Sequence, residues 1–115
     1  MKIFIKYEAP NWNKYINLER ASYHAANVVK QKEKKVIKDN VKEKYEGNYP
    51  VEIKFKPHFK DYRQDLDNFR YKGLLDGLVA NEVIKNDNLK HIQKIVLEPV
   101  FDKEQVVEIE IKEME

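Results

Sequence analysis

The sequence has no cysteine among its 115 residues. A disulfide framework, a thiolate metal site and a cysteine nucleophile are therefore excluded, and we expect a cytoplasmic protein in a reducing compartment. No apolar run approaches the ~20 residues that span a bilayer, and residues 1–6 are too short and too interrupted to be a signal peptide. We therefore expect no membrane partner. No internal repeat is present, so the length predicts a single domain over residues 1–115.

Charged residues are abundant and are divided unevenly along the chain. The formal net charge is only +2, yet residues 30–63 carry eleven Lys and Arg against six Asp and Glu. Residues 98–115 carry two against seven. A basic segment of this kind is typical of a phosphate-binding surface, but a solvated helix face has the same composition. Charge alone leaves both interpretations open.

Hydrophobic periodicity predicts a small α+β domain. The predicted elements are strands at 2–7, 51–56, 91–100 and 106–112 and helices at about 25–45 and 68–81. Pro57 is expected to end the second strand, and the last two strands are expected to form a hairpin. The order β-α-β-α-β-β predicts a mixed sheet of about four strands covered by two main helices.

The first predicted helix has an apolar stripe and a basic ridge. The stripe consists of Val29, Val36, Ile37, Val41 and Tyr45, and it is interrupted at Lys32 and Glu33. The ridge is expected on the opposite face and consists of Lys30, Lys34, Lys38 and Lys42. Like charges at this spacing destabilise a helix by a few tenths of a kcal/mol per pair, roughly, unless a partner neutralises them.

The most informative stretch is Asp65-Leu66-Asp67-Asn68, between a strand and a helix. Two carboxylates in such a segment can turn toward one point, and hard cations such as Mg²⁺ prefer oxygen ligands. A third acid, Asp87, follows the helix in a polar turn. Each acid also has a structural explanation: Asp67 as a helix N-cap, Asp65 as a solvated loop residue, and Asp87 as a turn former.

Residues 65–88 resemble the signature of the RusA family, crossover-junction endodeoxyribonucleases that are frequent in phages and prophages. The resemblance rests on DxDN at 65–68, on Lys72 four residues before an aspartate, and on the later Asn86-Asp87. Three departures are one extra residue before Lys72, Gln64 where some members have arginine, and Asn86 in place of an acid.

The resemblance implies an endonuclease that uses Mg²⁺, or Mn²⁺ as a substitute, to resolve Holliday junctions. Asp65, Asp67 and Asp87 match the metal-binding and catalytic aspartates, and Lys72 matches the catalytic helix lysine. The implied partners are branched DNA, as a four-way junction, and a second copy of the chain in a homodimer. The residues expected to bind DNA are Lys30, Lys34, Lys38, Lys42, Lys60, Arg63 and Arg70.

Further positions were assigned from their neighbourhood in the chain. Lys54 and Lys56 could extend the DNA-binding surface, and Phe59, Tyr62 and Tyr71 could stack on unpaired bases. His24, His58 and His91 lack metal-ligand spacing and are interpreted as ordinary residues. Two alternative functions stay open: a nuclease for flaps, forks or duplex DNA, and a non-catalytic DNA-binding module.

Overall fold

A computed structural model describes residues 1–115. Its elements are β1 (Lys2–Ile5), α1 (Trp12–Ala21), α2 (Tyr23–Asn40), β2 (Val51–Phe59), a 3-10 turn (Leu66–Asn68), α3 (Tyr71–Ala80), β3 (Ile92–Leu97), β4 (Val100–Phe101) and β5 (Val107–Glu113). The predicted α+β class and mixed sheet are confirmed. The chain has one more α-helix than the two main helices that were predicted, because residues 12–21 form a full helix.

The central strand of the sheet is β2. The main strand order is β1-β5-β2-β3, and the short β4 also pairs with β2. Strands β3 and β4 are parallel to β2, whereas β5 is antiparallel to both β1 and β2. The predicted closing hairpin is wrong, because α3 is a crossover that returns β3 parallel to β2. The other side of β2 is then left for β5.

Strand β2 also continues past the predicted end. It runs through Pro57 to Phe59, and Pro57 lies opposite Val107 in the ladder with β5. Proline cannot donate a ladder hydrogen bond. On its other side, Pro57 lies between the stretch that pairs with β3 and the stretch that pairs with β4. The strand therefore tolerates proline at this one position.

Helix α2 ends at Asn40, so the prediction that it continues to Tyr45 is wrong. Val41 already has extended backbone angles, and the Tyr45 amide donates to the Val83 carbonyl at 2.8 Å. Val41 and Tyr45 still pack against the core, but they do so from an extended segment. The apolar spacing was compatible with a helix, and a tertiary hydrogen bond with the segment after α3 decided otherwise.

One hydrophobic core joins the sheet to the helices. Its buried members include Ile5, Ile37, Val51, Ile53, Phe55, Leu74, Leu78, Ile109 and Ile111. No helix combines the length and the apolarity that a membrane crossing requires.

Two glycines allow α3 to lie close against α2. Gly73 and Gly77 are four residues apart and therefore share a face of α3. A Cβ at position 73 would overlap the buried Glu33 carboxylate, and one at position 77 would lie 2.8 Å from Ile37 Cγ1. The two helices can therefore approach this closely only because these positions lack side chains.

Gly73→Ala is expected to lower the free energy of unfolding by ~1–3 kcal/mol, because the added methyl group must displace a buried carboxylate. The higher helix propensity of alanine, worth ~1 kcal/mol, opposes this loss. Urea unfolding monitored by circular dichroism measures the change. Ala80→Gly, at an exposed position in the last turn of α3, is the control for propensity alone. An unchanged or more stable Gly73→Ala protein would contradict the close packing.

Candidate functional site

The candidate site lies around the first two turns of α3. The 3-10 turn leads into this helix, and the Asn68 amide donates to the Asp65 carbonyl at 3.1 Å. Farther along the chain, Asp87 returns to the same helix, where its Oδ2 lies 3.4 Å from Lys72 Nζ. Lys72 also contacts Asp76 Oδ1 at 2.8 Å. The fold thus brings the last acid of the predicted set beside the helix that follows the first two.

Asp65 and Asp67 have no capping role in the structure. Both are exposed, and the 3-10 turn that begins after Asp65 has no side-chain cap hydrogen bond. Helix α3 begins after Arg70, whose side chain does not cap it either. The alternative in which Asp67 is the N-cap of the helix therefore does not hold. Both carboxylates therefore face solvent, and neither caps a helix.

The acids do not form a preassembled metal cage. No three His, Cys, Asp or Glu side chains lie together in a group that could hold a metal ion. The donor chemistry nevertheless fits a hard cation, because exposed carboxylate oxygens are ligands that Mg²⁺ accepts and it usually keeps several waters. A shared metal site of Asp65, Asp67 and Asp87 stays a prediction.

Lys72 is the cation of this site. Its hydrogen bond to Asp76, together with the nearby Asp87, raises the pKa of Lys72 above the ordinary value. The ammonium group is therefore charged at neutral pH, and it is about half exposed. The extra residue before Lys72 does not turn the side chain away from Asp87.

A cavity of about 380 Å³ opens between α2 and α3 beside this pair. Its charged lining residues are Lys30, Lys34, Asp76 and Asp87. Lys30 lies about 60° around the helix axis from Glu33, and Lys34 lies about 60° from Ile37, the two residues that face α3. The basic ridge is thus beside the packed stripe of α2, and its predicted position on the opposite face is wrong. A phosphate bound in the cavity beside Asp87 would lie near the side chains of Lys30 and Lys34.

The other cations that were predicted to bind DNA do not line this cavity. Lys38 continues the exposed ridge of α2, and Lys60 and Arg63 are exposed in the loop after β2. Lys42 lies beyond the end of α2, and its Nζ donates to the Lys38 carbonyl at 3.1 Å. Lys42 is therefore not part of a helical ridge, although its ammonium group remains at the same end of α2.

Arg70 does not contribute to this surface. Its side chain is 3% exposed and forms an ion pair with the fully buried Glu33. The Tyr15 ring centroid lies 3.8 Å from Arg70 Cζ, and the Trp12 ring also lies over the guanidinium. The prediction that Arg70 binds DNA is wrong, because α1 and α2 enclose its side chain. Burial raises the pKa of Glu33, and Arg70 opposes that rise.

Sequence reasoning missed this buried pair, although a signal was present. Glu33 lies four residues after Val29 and four before Ile37, at a position of the apolar stripe. A charge in a lysine-rich helix was interpreted as an interruption of the stripe. The one sign of a buried partner for Glu33 was that Arg70 lies close in sequence to Gly73, a glycine that lets α3 pack closely on α2.

The segment of Asp65 and Asp67 is held by the start of α1. The Asn68 side-chain oxygen accepts a hydrogen bond from the Asn13 amide at 3.3 Å. The Arg70 amide donates to the Pro10 carbonyl at 2.9 Å, and Asn11 forms a bridge with Phe69. Asn68 of the DxDN motif therefore has a positioning role that the sequence did not reveal.

Part of the basic segment is neutralised within the protein. Lys54 lies 3.3 Å from Glu98, and Lys56 lies 3.2 Å from Glu110. The hydrogen bond to Glu110 raises the pKa of Lys56. The acidic end of the chain thus pairs with basic residues of β2. These two lysines are engaged in the sheet, and their assignment to a DNA surface is not supported.

The remaining residues of interest differ in accessibility. His58 is 8% exposed, with Nε2 2.8 Å from Glu108 and Nδ1 3.6 Å from Asp102. Phe59 is buried, and the half-buried Tyr71 packs against Phe55. Tyr62 is 85% exposed, and its ring centroid lies 4.6 Å from that of the exposed Phe101. Of the three aromatic residues predicted to stack on bases, only Tyr62 is freely accessible.

Comparison with known proteins gives one family. The family model described as endodeoxyribonuclease RusA matches residues 7–112, nearly the whole chain. The matched range contains the acids, Lys72 and all three helices. No curated protein matches the chain.

Proposed function

Because the chain belongs to the RusA family of endodeoxyribonucleases, we propose that it hydrolyses phosphodiester bonds in branched DNA, with the four-way (Holliday) junction as its substrate. Such an activity belongs to DNA recombination and repair in the cytoplasm of a bacterial host, whether the gene is chromosomal or phage-borne. The observation that carries the proposal is the 3.4 Å contact between Lys72 and Asp87, which brings the last acid of the family signature to the helix lysine.

In the proposed site Asp65, Asp67 and Asp87 hold one or two Mg²⁺ ions, with Mn²⁺ as a substitute. A bound divalent cation would supply charge neutralisation at the phosphate and lower the pKa of a bound water. Lys72 adds a fixed positive charge where negative charge develops on the phosphate. The 2.8 Å hydrogen bond that Lys72 donates to Asp76, one helical turn later, holds the ammonium group beside α3.

The proposed DNA surface surrounds the cavity between α2 and α3. Lys30, Lys34 and Lys38 contact phosphates from α2, and Lys60 and Arg63 contact them from the loop that precedes Asp65. The exposed pair of Tyr62 and Phe101 offers aromatic faces for bases that are unstacked at a branch. The lysine and arginine contacts bind the phosphate backbone without reading the base sequence.

A homodimer completes the proposal. Resolution of a junction requires two symmetry-related cuts, and a two-fold dimer supplies two sites. The stripe of α2 around Glu33 is not free to form the interface, because Glu33 is buried against α3. The outer strands β1 and β3 remain exposed edges, and Phe4 and Ile95 are exposed on them.

The direct test uses a synthetic four-way junction with labelled arms. We expect paired cuts near the branch in Mg²⁺ or Mn²⁺ and no cuts in EDTA. A linear duplex of the same sequence, added at matched salt, should compete weakly. Equal cleavage of flaps, forks or duplex would favour the nuclease of broader substrate range. Failure to cut any branched substrate would contradict the proposal.

Metal binding is expected to stabilise the folded protein. A cation at 100 times its Kd adds about 2.7 kcal/mol to the free energy of unfolding. Thermal unfolding with and without Mn²⁺ measures this gain, and Asp65→Ala should remove it. Asp61→Ala, which changes an exposed acid of the preceding loop, is the control. A non-catalytic DNA-binding module would show no Mn²⁺ shift in any of the three proteins.

A further inference from the structure

A second and larger cleft, of about 780 Å³, adjoins the candidate site at Gln64, the residue before Asp65. The end of β1, the start of α1, the middle of α2 and the loop before β5 form its walls. The residues that matter for its chemistry are Lys6, Lys14, Lys32, Tyr7, Gln64 and Gln105. None of these positions was assigned a function from the sequence.

The cleft is lined by cations that the fold leaves without acidic partners. Lys6 follows β1, Lys14 lies in α1 and Lys32 lies in α2, and none of them forms an ion pair with a carboxylate of the chain. The only acid of the lining is Glu8, which is exposed. By contrast, Lys54 and Lys56 of the sheet are both paired. Three unpaired lysines along one cleft make it a favourable place for an anion.

The rest of the lining fits a nucleotide better than a free anion. Tyr7 is half-buried against the core, and its ring lies beside Lys32, whose Nζ is 5.9 Å from the ring centroid. The side chains of Gln64 and Gln105 are exposed and make no hydrogen bond within the chain. Aromatic faces stack on bases, free amides bond to base edges, and lysines bind phosphates. All three kinds of group meet in this one cleft.

We propose that this cleft binds a short single-stranded stretch that opens at the branch point of the junction. Gln64 is covalently joined to Asp65, so one end of the cleft adjoins the segment that carries the candidate carboxylates. A smaller cavity of about 160 Å³ shares Gln64 and Gln105 with the cleft, but its lining contains Lys60 together with the acids Glu8, Asp61 and Glu104. The larger cleft, where lysines outnumber acids, is therefore the expected path of the strand. The proposal rests on the proposed nuclease function, because it names how the substrate is held beside the site.

The test measures strand binding without cleavage. Fluorescence anisotropy of a short labelled oligothymidylate, titrated with the protein in EDTA, gives the affinity. We expect saturable binding to the wild-type protein. Inorganic phosphate and a duplex of equal length, at the same phosphate concentration, should bind at least tenfold more weakly.

The double variant Lys14→Ala/Lys32→Ala should bind the oligothymidylate at least tenfold more weakly than the wild type. For this variant, the plot of log affinity against log salt concentration should be less steep by about 1.4, because each phosphate contact to a single strand contributes ~0.7 to that slope. Lys2→Ala/Lys90→Ala removes the same charge from exposed positions outside the cleft and should bind as the wild type does. Equal affinity of the two double variants, or full competition by inorganic phosphate, would overturn the proposal.

The two proposals fail in different ways. If the wild-type protein cuts junctions but the two double variants bind oligothymidylate equally well, only the proposal of a strand-binding cleft is overturned. A protein that binds the strand through Lys14 and Lys32 but cuts no branched DNA would overturn the nuclease function alone.

Discussion

Arg70→Ala is expected to lower the free energy of unfolding by ~3–5 kcal/mol, since it leaves a carboxylate buried without its partner. Glu33 is fully buried, and its second oxygen has no hydrogen-bond partner even with Arg70 present. Small domains have a free energy of unfolding of only about 5–15 kcal/mol, so this variant would lose a large part of its total stability. Urea unfolding at pH 7 measures the loss.

Two controls separate the buried pair from ordinary surface charge. Lys35→Ala breaks the exposed pair of Lys35 and Asp39 and should cost no more than about 0.5 kcal/mol. The double variant Glu33→Leu/Arg70→Leu should recover much of the loss, because apolar replacement removes the unpaired charge. Arg70→Ala with an effect as small as that of Lys35→Ala would show that the pair is not buried in solution.

The loss in Arg70→Ala should also depend on pH. Burial raises the pKa of Glu33, and removal of Arg70 takes away the group that opposes this rise. The folded protein then binds a proton more tightly than the unfolded chain. Stability therefore falls as pH rises from the ordinary Glu pKa through the raised value. The deficit relative to the wild type should be smaller at pH 4 than at pH 7.

Asp67→Asn is expected to reduce junction cleavage by about 10²- to 10³-fold or more, because Asp67 is proposed to hold the cation that would neutralise negative charge in the transition state. Binding of the junction should persist, because backbone affinity comes from cations and not from this acid. Cleavage of the labelled four-way junction under single-turnover conditions gives the rate, and a gel-shift assay in EDTA gives the affinity.

The fold predicts that Asp67→Asn leaves the protein stably folded, so that a loss of cleavage can be assigned to the site. Asp67 is exposed and caps no helix, so the free energy of unfolding should stay within about 0.5 kcal/mol of the wild type. Asp39→Asn changes an exposed acid of α2 outside the site and should leave cleavage unchanged. A wild-type cleavage rate in Asp67→Asn would remove this residue from the site.

Local patterns predicted the parts of the fold that depend on near neighbours. Alternation placed β1 and β2, and the period of 3.6 placed most of α2 and α3. The pairing of β3 and β5 with β2 was not predictable in the same way. Strand pairing depends on contacts between residues far apart in the chain, and a short connection between two strands fits a hairpin as well as it fits opposite sides of β2.

The same division applies to the candidate site. The types and spacing of Asp65, Asp67, Lys72 and Asp87 were sufficient to indicate the family, which the match over residues 7–112 confirms. The direction of the Lys72 side chain was not predictable, because it depends on where the turn after α3 returns. The role of Arg70 was not predictable either, since a guanidinium in a basic chain is usually solvated.

The sequence by itself determined the fold class, the family and the segment that carries the acids, because each of these is encoded in residue types at short spacing. Only the tertiary structure decided which charges are free and which are engaged. It buried Arg70 against Glu33, paired Lys54 and Lys56 with the acidic end of the chain, and left Lys6, Lys14 and Lys32 unpaired around one cleft. The physical reason is that the state of a charge depends on its desolvation and on its partners, and both are set by elements distant in sequence.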